Sequence, residues 1–161
     1  MPTDPNPIDT DDDLDELYQE LIMDHGRRPR NTGALPQANC HARGHNPLCG
    51  DELTLAAFVE AGRVVEVRFV GTGCAISTAS ASMMTGAVKG KTLDETRLLF
   101  EAFHALVTGE PAPALHVELG KLSAFGGVRR FPVRVKCASL AWHTLEAALS
   151  ADRGHAVSTE S

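Results

Sequence analysis

The sequence predicts an α+β domain in which a small antiparallel sheet is backed by helices. Two observations support this fold class. Residues 52–60 and 64–70 alternate apolar and polar side chains on either side of Ala61-Gly62, which is typical of a hairpin of two antiparallel strands. Apolar residues recur at helical spacing in four other stretches, near residues 14–25, 75–88, 92–109 and 133–148. A chain of 161 residues with 43% hydrophobic content is long enough for one such domain with its own core.

Both ends of the chain are predicted to lie outside the domain. Residues 1–12 carry three prolines and several acidic residues with little to bury, so ordering them would cost entropy without return. We expect a disordered tail there, a single domain over residues 13–150, and a flexible polar tail over residues 151–161.

The first helix has a clear start and end. An aspartate run suited to capping precedes Leu14, and the apolar periodicity continues to about His25-Gly26, where Pro29 blocks a longer helix. Residues 26–48 show no periodicity and are predicted to be loop.

The later helices follow recognisable signals. At Gly71-Thr72-Gly73 the backbone must pass close to another group or adopt angles that a side chain forbids. Thr92 and Glu95 form a capping box, which opens the helix that ends at Gly109. Pro132 precedes the last helix at a position where proline is tolerated.

The composition and charge of the chain argue against several classes of partner. A net charge of -6 and a pI near 5.6 argue against binding a phosphate backbone, so no nucleic-acid partner is expected. No apolar run is long enough to cross a bilayer, and the acidic N-terminus does not resemble a signal peptide, so we expect a cytoplasmic protein with no membrane partner. Thiols stay reduced in that compartment, so its four cysteines indicate metal binding or catalysis before disulfides.

Three cysteines and one aspartate form a candidate zinc site. Cys49 and Asp51 stand two positions apart on a glycine-bearing turn, and Cys74 and Cys137 each fall where a loop is predicted to enter a helix. Three thiolates and a carboxylate complete a tetrahedral set for zinc. At helix starts the helix dipole would lower the pKa of the Cys74 and Cys137 thiols, which makes both better ligands.

Two of these four residues also have a purely structural interpretation. Cys137 begins an apolar stripe and could be a small buried hydrophobe, and Asp51 could be a turn residue. Cys40, His41 and His45 could in principle join Cys49 in a second metal cluster, although scattered Cys and His are more often incidental.

Basic residues cluster just before Cys137. They could form a solvated face, offset the negative charge of a thiolate site, or bind an acidic partner. They are Arg129, Arg130, Arg134 and Lys136.

Taken together, the motifs resemble U-type iron-sulfur assembly proteins over residues 14–149. The motifs that carry the resemblance are Leu17-Tyr18, Asp24-His25, Pro29-Arg30-Asn31, Asn46-Pro47-Leu48-Cys49-Gly50-Asp51, Gly71-Thr72-Gly73-Cys74-Ala75-Ile76-Ser77 and Arg134-Val135-Lys136-Cys137-Ala138-Ser139-Leu140-Ala141-Trp142. The resemblance implies an antiparallel sheet of about three strands packed against four to six helices, with a third strand near Leu35.

Within this family the chain is more similar to the SufU branch than to the IscU scaffold branch. Lys136 stands where the scaffolds usually carry a histidine before the third cysteine, and residues 109–122 look like an insertion typical of SufU. The SufU resemblance implies that Cys49, Asp51, Cys74 and Cys137 bind zinc. It further implies that Cys49 accepts sulfur from a SufS-type cysteine desulfurase, after a desulfurase histidine takes its place on zinc, and that sulfur continues to downstream iron-sulfur assembly proteins.

Three other functions are weighed against this sulfurtransferase. The same ligands could transiently hold a [2Fe-2S] cluster, because thiolates suit iron-sulfur clusters as well as zinc. A purely structural zinc site is a further alternative, since closed four-ligand sites are usually structural. A hydrolytic zinc enzyme such as a deaminase fits poorly, because four protein ligands leave no position for water.

Overall fold

A four-stranded sheet and five helices make up the part of the chain that the computed structural model describes, residues 11–111, 117–150 and 156–158. The strands are β1 (Cys40–Asn46), β2 (Asp51–Glu60), β3 (Arg63–Thr72) and β4 (Ala156–Ser158). The helices are α1 (Asp11–Arg27), α2 (Ala75–Val88), α3 (Leu93–Thr108), a 3-10 helix (Gly120–Arg130) and α4 (Pro132–Leu149). The sheet order is β3-β2-β1-β4, in which the first three strands are antiparallel and β4 runs parallel to β1. The predicted α+β class is confirmed.

The predicted hairpin forms the centre of the sheet. β2 and β3 extend the predicted strands by one to three residues and meet at Ala61 and Gly62, whose φ angles are 54° and 77°. Two successive positive φ angles give a turn whose twist matches that of the flanking strands. The hairpin therefore follows from the alternating pattern and from a glycine at its tip.

The third antiparallel strand was predicted in the wrong place. It is β1, which lies within the stretch expected to be loop, whereas Leu35 is buried in the loop before it. Side chains in β1 alternate between the core and the outer face. The inward residues are Cys40, Ala42, Gly44 and Asn46, none of which is β-branched or aromatic, so strand propensity gave no signal.

Those small side chains let α4 pack closely against β1. A Cβ added at Gly44 would collide with Thr144 Oγ1 and lie 3.1 Å from Leu140 Cδ1. Glycine at this position is thus required by the close approach of the helix. The contact places α4 over the inward face of β1.

The helices begin and end close to the predicted residues. α2 has the predicted bounds, the Thr92–Glu95 capping box opens α3, and Gly109 ends α3 with a φ of 80°. Pro132 is the first residue of α4. α1 begins at Asp11, two residues before the expected boundary.

Most of the two predicted tails lies outside the described part of the chain. This holds for residues 1–10 and for the C-terminal tail apart from Ala156–Ser158, which pair with β1.

The largest buried side chains lie between α3, α4 and the 3-10 helix. The rings of Phe103 and Trp142 stack with centroids 4.7 Å apart, and Phe125 packs on Phe103 at 5.5 Å. The 3-10 helix begins at Gly120 and therefore shares only residues 120–122 with the candidate insertion 109–122, of which residues 112–116 lie outside the described part. Within the described ranges, no helix combines the length and apolar character that a membrane span requires.

Candidate metal centre

The turn between β1 and β2 carries Cys49 on the protein surface. The carbonyl of Asn46 accepts hydrogen bonds from the backbone N–H groups of Cys49 (3.2 Å) and Gly50 (2.8 Å). Gly50 adopts a φ of 73°, which a residue with a side chain rarely adopts. The side chain of Cys49 is exposed. The sequence Asn-Pro-Leu-Cys-Gly thus folds into a tight connection that presents a thiol.

Asp51 follows as the first residue of β2 and is fully buried, with 0% of its surface exposed. Its Oδ1 accepts a hydrogen bond of 2.8 Å from the backbone N–H of Cys74. Among the described residues, Asp51 forms no ion pair with Lys, Arg or His. A buried carboxylate is costly unless a cation or hydrogen bonds compensate it, so the position of Asp51 makes it a candidate cation ligand.

The glycines before Cys74 allow the backbone to pass beside this carboxylate. A Cβ added at Gly73 would lie 2.7 Å from Asp51 Oδ1, and one at Gly71 would collide with the Glu52 carbonyl. The close approach that the sequence predicted at Gly71-Thr72-Gly73 is confirmed, and the group approached at Gly73 is the site carboxylate.

Cys74 caps the N-terminus of α2, as predicted. Its Sγ accepts a hydrogen bond from the N–H of Ser77 (3.4 Å) and lies 3.9 Å from Asp51 Oδ2. A hydrogen bond from the Cys137 thiol, with the backbone N–H of Ser77 adding to it, lowers the pKa of Cys74 to about 6. Cys74 is therefore more readily ionised than an ordinary thiol before a metal binds.

Cys137 does not lie where the loop enters the helix, so that expectation is wrong. Pro132 begins α4, and Cys137 comes about one and a half turns later, where the free N–H groups of the helix start are out of reach. Its pKa is raised, because its proton is held by a hydrogen bond to the Cys74 thiolate and because the group is buried. The pKa of Cys74 is thus lowered as predicted, but mainly by the Cys137 thiol and only secondarily by N–H groups at the helix start, and the predicted lowering for Cys137 is wrong.

The fold brings the predicted ligands together. The ligand atoms of Cys49, Asp51 and Cys137 lie within 4.8 Å of one another, with 3.1 Å between the Sγ atoms of Cys49 and Cys137. Cys74 borders the same site through Asp51.

The alternative cluster of Cys40, His41 and His45 does not form among the described residues. Cys40 is buried opposite Ala57, at the far end of β1 from the turn. His41 and His45 lie on the exposed face of the strand.

Asn46 contacts the site, although its sequence pattern predicts no separate role for it. It is fully buried, its Nδ2 lies 3.7 Å from Cys137 Sγ, and its Oδ1 accepts from the N–H of Leu48 at 3.2 Å. Its place at the start of the Asn-Pro-Leu-Cys-Gly-Asp motif was the only signal, because asparagine before proline is also an ordinary turn residue.

Comparison with known proteins supports the motif-based assignment. The family profile described as the NifU-like N terminal domain matches residues 17–157. The iron-sulfur cluster assembly scaffold protein IscU of Streptococcus pyogenes is 40% identical over 136 residues, covering 84% of each chain. The zinc-dependent sulfurtransferase SufU of Bacillus subtilis is 39% identical over 141 residues, covering 88% of this chain and 95% of that protein.

A solved structure shares the fold. It is described as a candidate iron-sulfur cluster assembly scaffold protein for the SUF system of Fervidobacterium islandicum, and it superposes with a TM-score of 0.75 at 35% identity over 84% of this chain and 98% of that chain. Identity does not separate the two branches, because relatives named scaffold and sulfurtransferase are equally similar to the chain. The profile match, the two relatives and the shared fold together show that this chain belongs to the NifU-like N-terminal domain family, whose named relatives are IscU and SufU proteins.

Proposed function

We propose that the protein is a zinc-dependent sulfurtransferase, which accepts persulfide sulfur from a SufS-type cysteine desulfurase and passes it to iron-sulfur cluster assembly. The observation that carries this proposal is the unequal exposure of the gathered ligands. Cys49 is exposed on a turn, whereas Asp51 and Cys137 are buried on a strand and a helix. Cys74 is exposed too, but a hydrogen bond from Ser77 holds its sulfur. Cys49 is thus the thiol best placed to leave the site and react.

The donor set fits zinc. Cys49, Asp51, Cys74 and Cys137 would supply three sulfurs and one oxygen, the ligand types that zinc binds in tetrahedral sites. The uncompensated carboxylate of Asp51 agrees with a bound cation. Bound zinc would supply positive charge that keeps the cysteines as thiolates at neutral pH.

The chemistry required of the chain is a single displacement. The Cys49 thiolate attacks the terminal sulfur of the partner's cysteine persulfide. A sulfur–sulfur bond forms at Cys49 as the partner's sulfur–sulfur bond breaks, and the partner cysteine leaves as a thiolate. The proton of the persulfide stays with the transferred sulfur, so no oxidant or reductant is consumed. Cys74 and Cys137, which are carried by helices, take no part in this displacement.

The surface around the turn suits a protein partner. Three apolar side chains that lie close in sequence to Cys49 or Cys137 are more than half exposed, and the guanidinium of Arg134 lies 5.6 Å from the centre of the one aromatic ring among them. They are Leu48, Phe131 and Val133. The cationic side chains of Arg129, Arg130 and Arg134 are exposed on the same segment, which supports a partner surface with acidic residues.

Transfer is tested by mixing the protein with a cysteine desulfurase and cysteine without oxygen, then locating the added sulfur by mass spectrometry of peptides. We expect wild-type protein to gain one sulfur atom on Cys49 and to stimulate the desulfurase. Cys49→Ala should lose both effects. Cys40→Ala is the matched control, because it removes a buried cysteine of β1 that lies outside the site. Full stimulation by Cys49→Ala would overturn the proposal.

A second candidate is an assembly scaffold that transiently holds a [2Fe-2S] cluster on the same four residues. The relative from Streptococcus pyogenes, which is named a scaffold, favours it. Metal analysis of protein purified without oxygen separates the two candidates. One zinc per chain without visible absorption supports sulfur transfer, whereas stoichiometric iron and sulfide support the scaffold.

A further inference from the structure

Among the described residues, Asn46 is a buried side-chain amide that contacts both the candidate ligand Cys137 and the turn that carries Cys49. It ends β1, pairs in register with Asp51, and has no exposed surface. Its backbone carbonyl holds the turn through Cys49 and Gly50. A buried carboxamide must satisfy two donor hydrogens and an acceptor oxygen, so its partners define what it does.

The orientation of the amide follows from its neighbours. The backbone N–H of Leu48 can only donate, so the atom that faces it at 3.2 Å must be Oδ1. The amide nitrogen then faces Cys137 Sγ at 3.7 Å, within the range of a hydrogen bond to sulfur. One side chain thereby fixes the turn with its oxygen and a ligand sulfur with its nitrogen.

We propose that Asn46 is a positioning residue of the metal site, which holds Cys137 as the fixed thiolate while it presents Cys49 on the turn. This inference rests on the proposed ligand set. An N–H donor stabilises negative charge on the sulfur that accepts it, and residues that contact ligands in this way tune metal affinity. The same residue closes the Cys49 turn with two backbone hydrogen bonds, and this turn places the exposed Cys49 Sγ 3.1 Å from Cys137 Sγ.

Two variants separate the functions of this side chain. Asn46→Asp keeps the oxygen that accepts from Leu48 but replaces the donor to Cys137 with a second oxygen. Asn46→Ala removes both contacts. The matched control is Asn39→Asp just before β1, because Asn39 also uses both side-chain atoms, on the backbone of Val59, away from the site.

The test uses the full chain loaded with Co²⁺ in place of zinc. Loss of a donor raises the energy of the sulfur electrons, so we expect the thiolate-to-cobalt absorption of both Asn46 variants to move to longer wavelength. Competition with a chelator should show metal affinity reduced by about tenfold to 100-fold. Asn39→Asp should keep the wild-type spectrum and affinity. A wild-type spectrum in folded Asn46→Asp would overturn the inference.

A measurement on wild-type protein covers the case in which the variants do not fold. In isotopically labelled protein, one side-chain amide proton of Asn46 should shift downfield and exchange slowly once Cd²⁺ is bound. Two amide protons that behave like those of an exposed asparagine would contradict the inference. Neither readout involves sulfur transfer, so failure of the sulfurtransferase proposal and failure of the Asn46 proposal give different results.

Discussion

The carboxylate of Asp51 has room for its position only because residue 73 is a glycine. The backbone N–H of Cys74 fixes Oδ1 of the carboxylate, and the Cα of Gly73 lies so near that an added Cβ would stand 2.7 Å from the same oxygen. Carboxylate and backbone thus set each other's positions. At the level of single residues, the geometry of the candidate metal centre depends on the absence of a side chain at Gly73.

Gly73→Ala should therefore weaken metal binding. The added methyl must displace the Asp51 carboxylate, and we expect metal affinity to fall about tenfold or more, as it does when residues that orient a ligand are changed. Competition with a chromogenic chelator measures the change.

Gly86→Ala is the matched control for this variant. Gly86 lies in α2, and a Cβ there would meet nothing within 4 Å. Metal affinity should be unchanged, and stability should rise by up to about 1 kcal/mol, because alanine favours helix over glycine. Equal metal affinity in both variants would show that the approach of Gly73 to Asp51 does not matter.

The two helix cysteines show how far single residues can be interpreted from sequence. The pattern Gly71-Thr72-Gly73-Cys74 predicted a helix start, and Cys74 caps α2 there. For Cys137, the apolar stripe was predicted correctly but its distance from the helix start was not. Its raised pKa depends on hydrogen bonds to other cysteines, which are brought close only by the tertiary fold.

At the scale of elements, β1 marks the limit of prediction from the sequence. The hairpin, α2 and α3 have strong local signals, namely alternation, a helix N-cap and a capping box. β1 is selected by tertiary packing, because its inward residues are small enough for α4 to approach Gly44. A strand made of small residues contradicts local propensity, so it becomes visible only when its partner helix is known.

The packing of α3 against α4 contains a titratable group. The ring of His143 lies edge-on to Phe100 with centroids 5.2 Å apart, and His104 lies 6.2 Å away. Burial, together with the nearby His104, lowers the pKa of His143 below its usual value of about 6.5. The neutral ring is the form that fits this interface.

Stability should therefore fall as the solution becomes acidic. Above about pH 6.5 His143 is neutral in both the folded and unfolded chain, so its contribution is complete. As the pH falls, His143 is protonated first in the unfolded chain. Stability is then lost until the pH reaches the lowered pKa of His143 in the folded chain. We expect His143→Gln to lose stability less steeply between about pH 7 and about pH 5, as measured by urea unfolding with chelator present.

The chelator removes the separate pH dependence of metal binding, and the other histidines are common to both proteins. The difference between the two slopes therefore measures the titration of His143 together with its coupling to His104. Identical slopes for His143→Gln and wild type would contradict a lowered pKa at this position.

At the scale of the whole molecule, the candidate centre joins three parts of the fold. Cys49 and Asp51 come from the β1–β2 connection, Cys74 from the start of α2, and Cys137 from α4. All four candidate donors were proposed from the sequence, because their motifs resemble those of a known family. Their convergence could not be derived from spacing alone, since 88 residues separate Cys49 from Cys137. Metal binding at such a point should be coupled to folding.

Replacing Asp51 with asparagine tests this coupling. The substitution should not lower stability without metal, but it should lower stability relative to wild type when zinc is bound. The amide oxygen of the replacement could still accept from the N–H of Cys74, but the side chain would carry no charge. Without metal the wild type buries a carboxylate that no described cation compensates, so Asp51→Asn should be as stable as wild type or more stable by about 1 to 3 kcal/mol. With zinc about 100-fold above its Kd, the wild type should gain about 2.7 kcal/mol of stability, and the variant should gain clearly less.

Thermal unfolding of both proteins, each with zinc and with chelator, measures these four stabilities. If Asp51→Asn were destabilised equally in both conditions, Asp51 would be a structural residue of the turn and not a metal ligand.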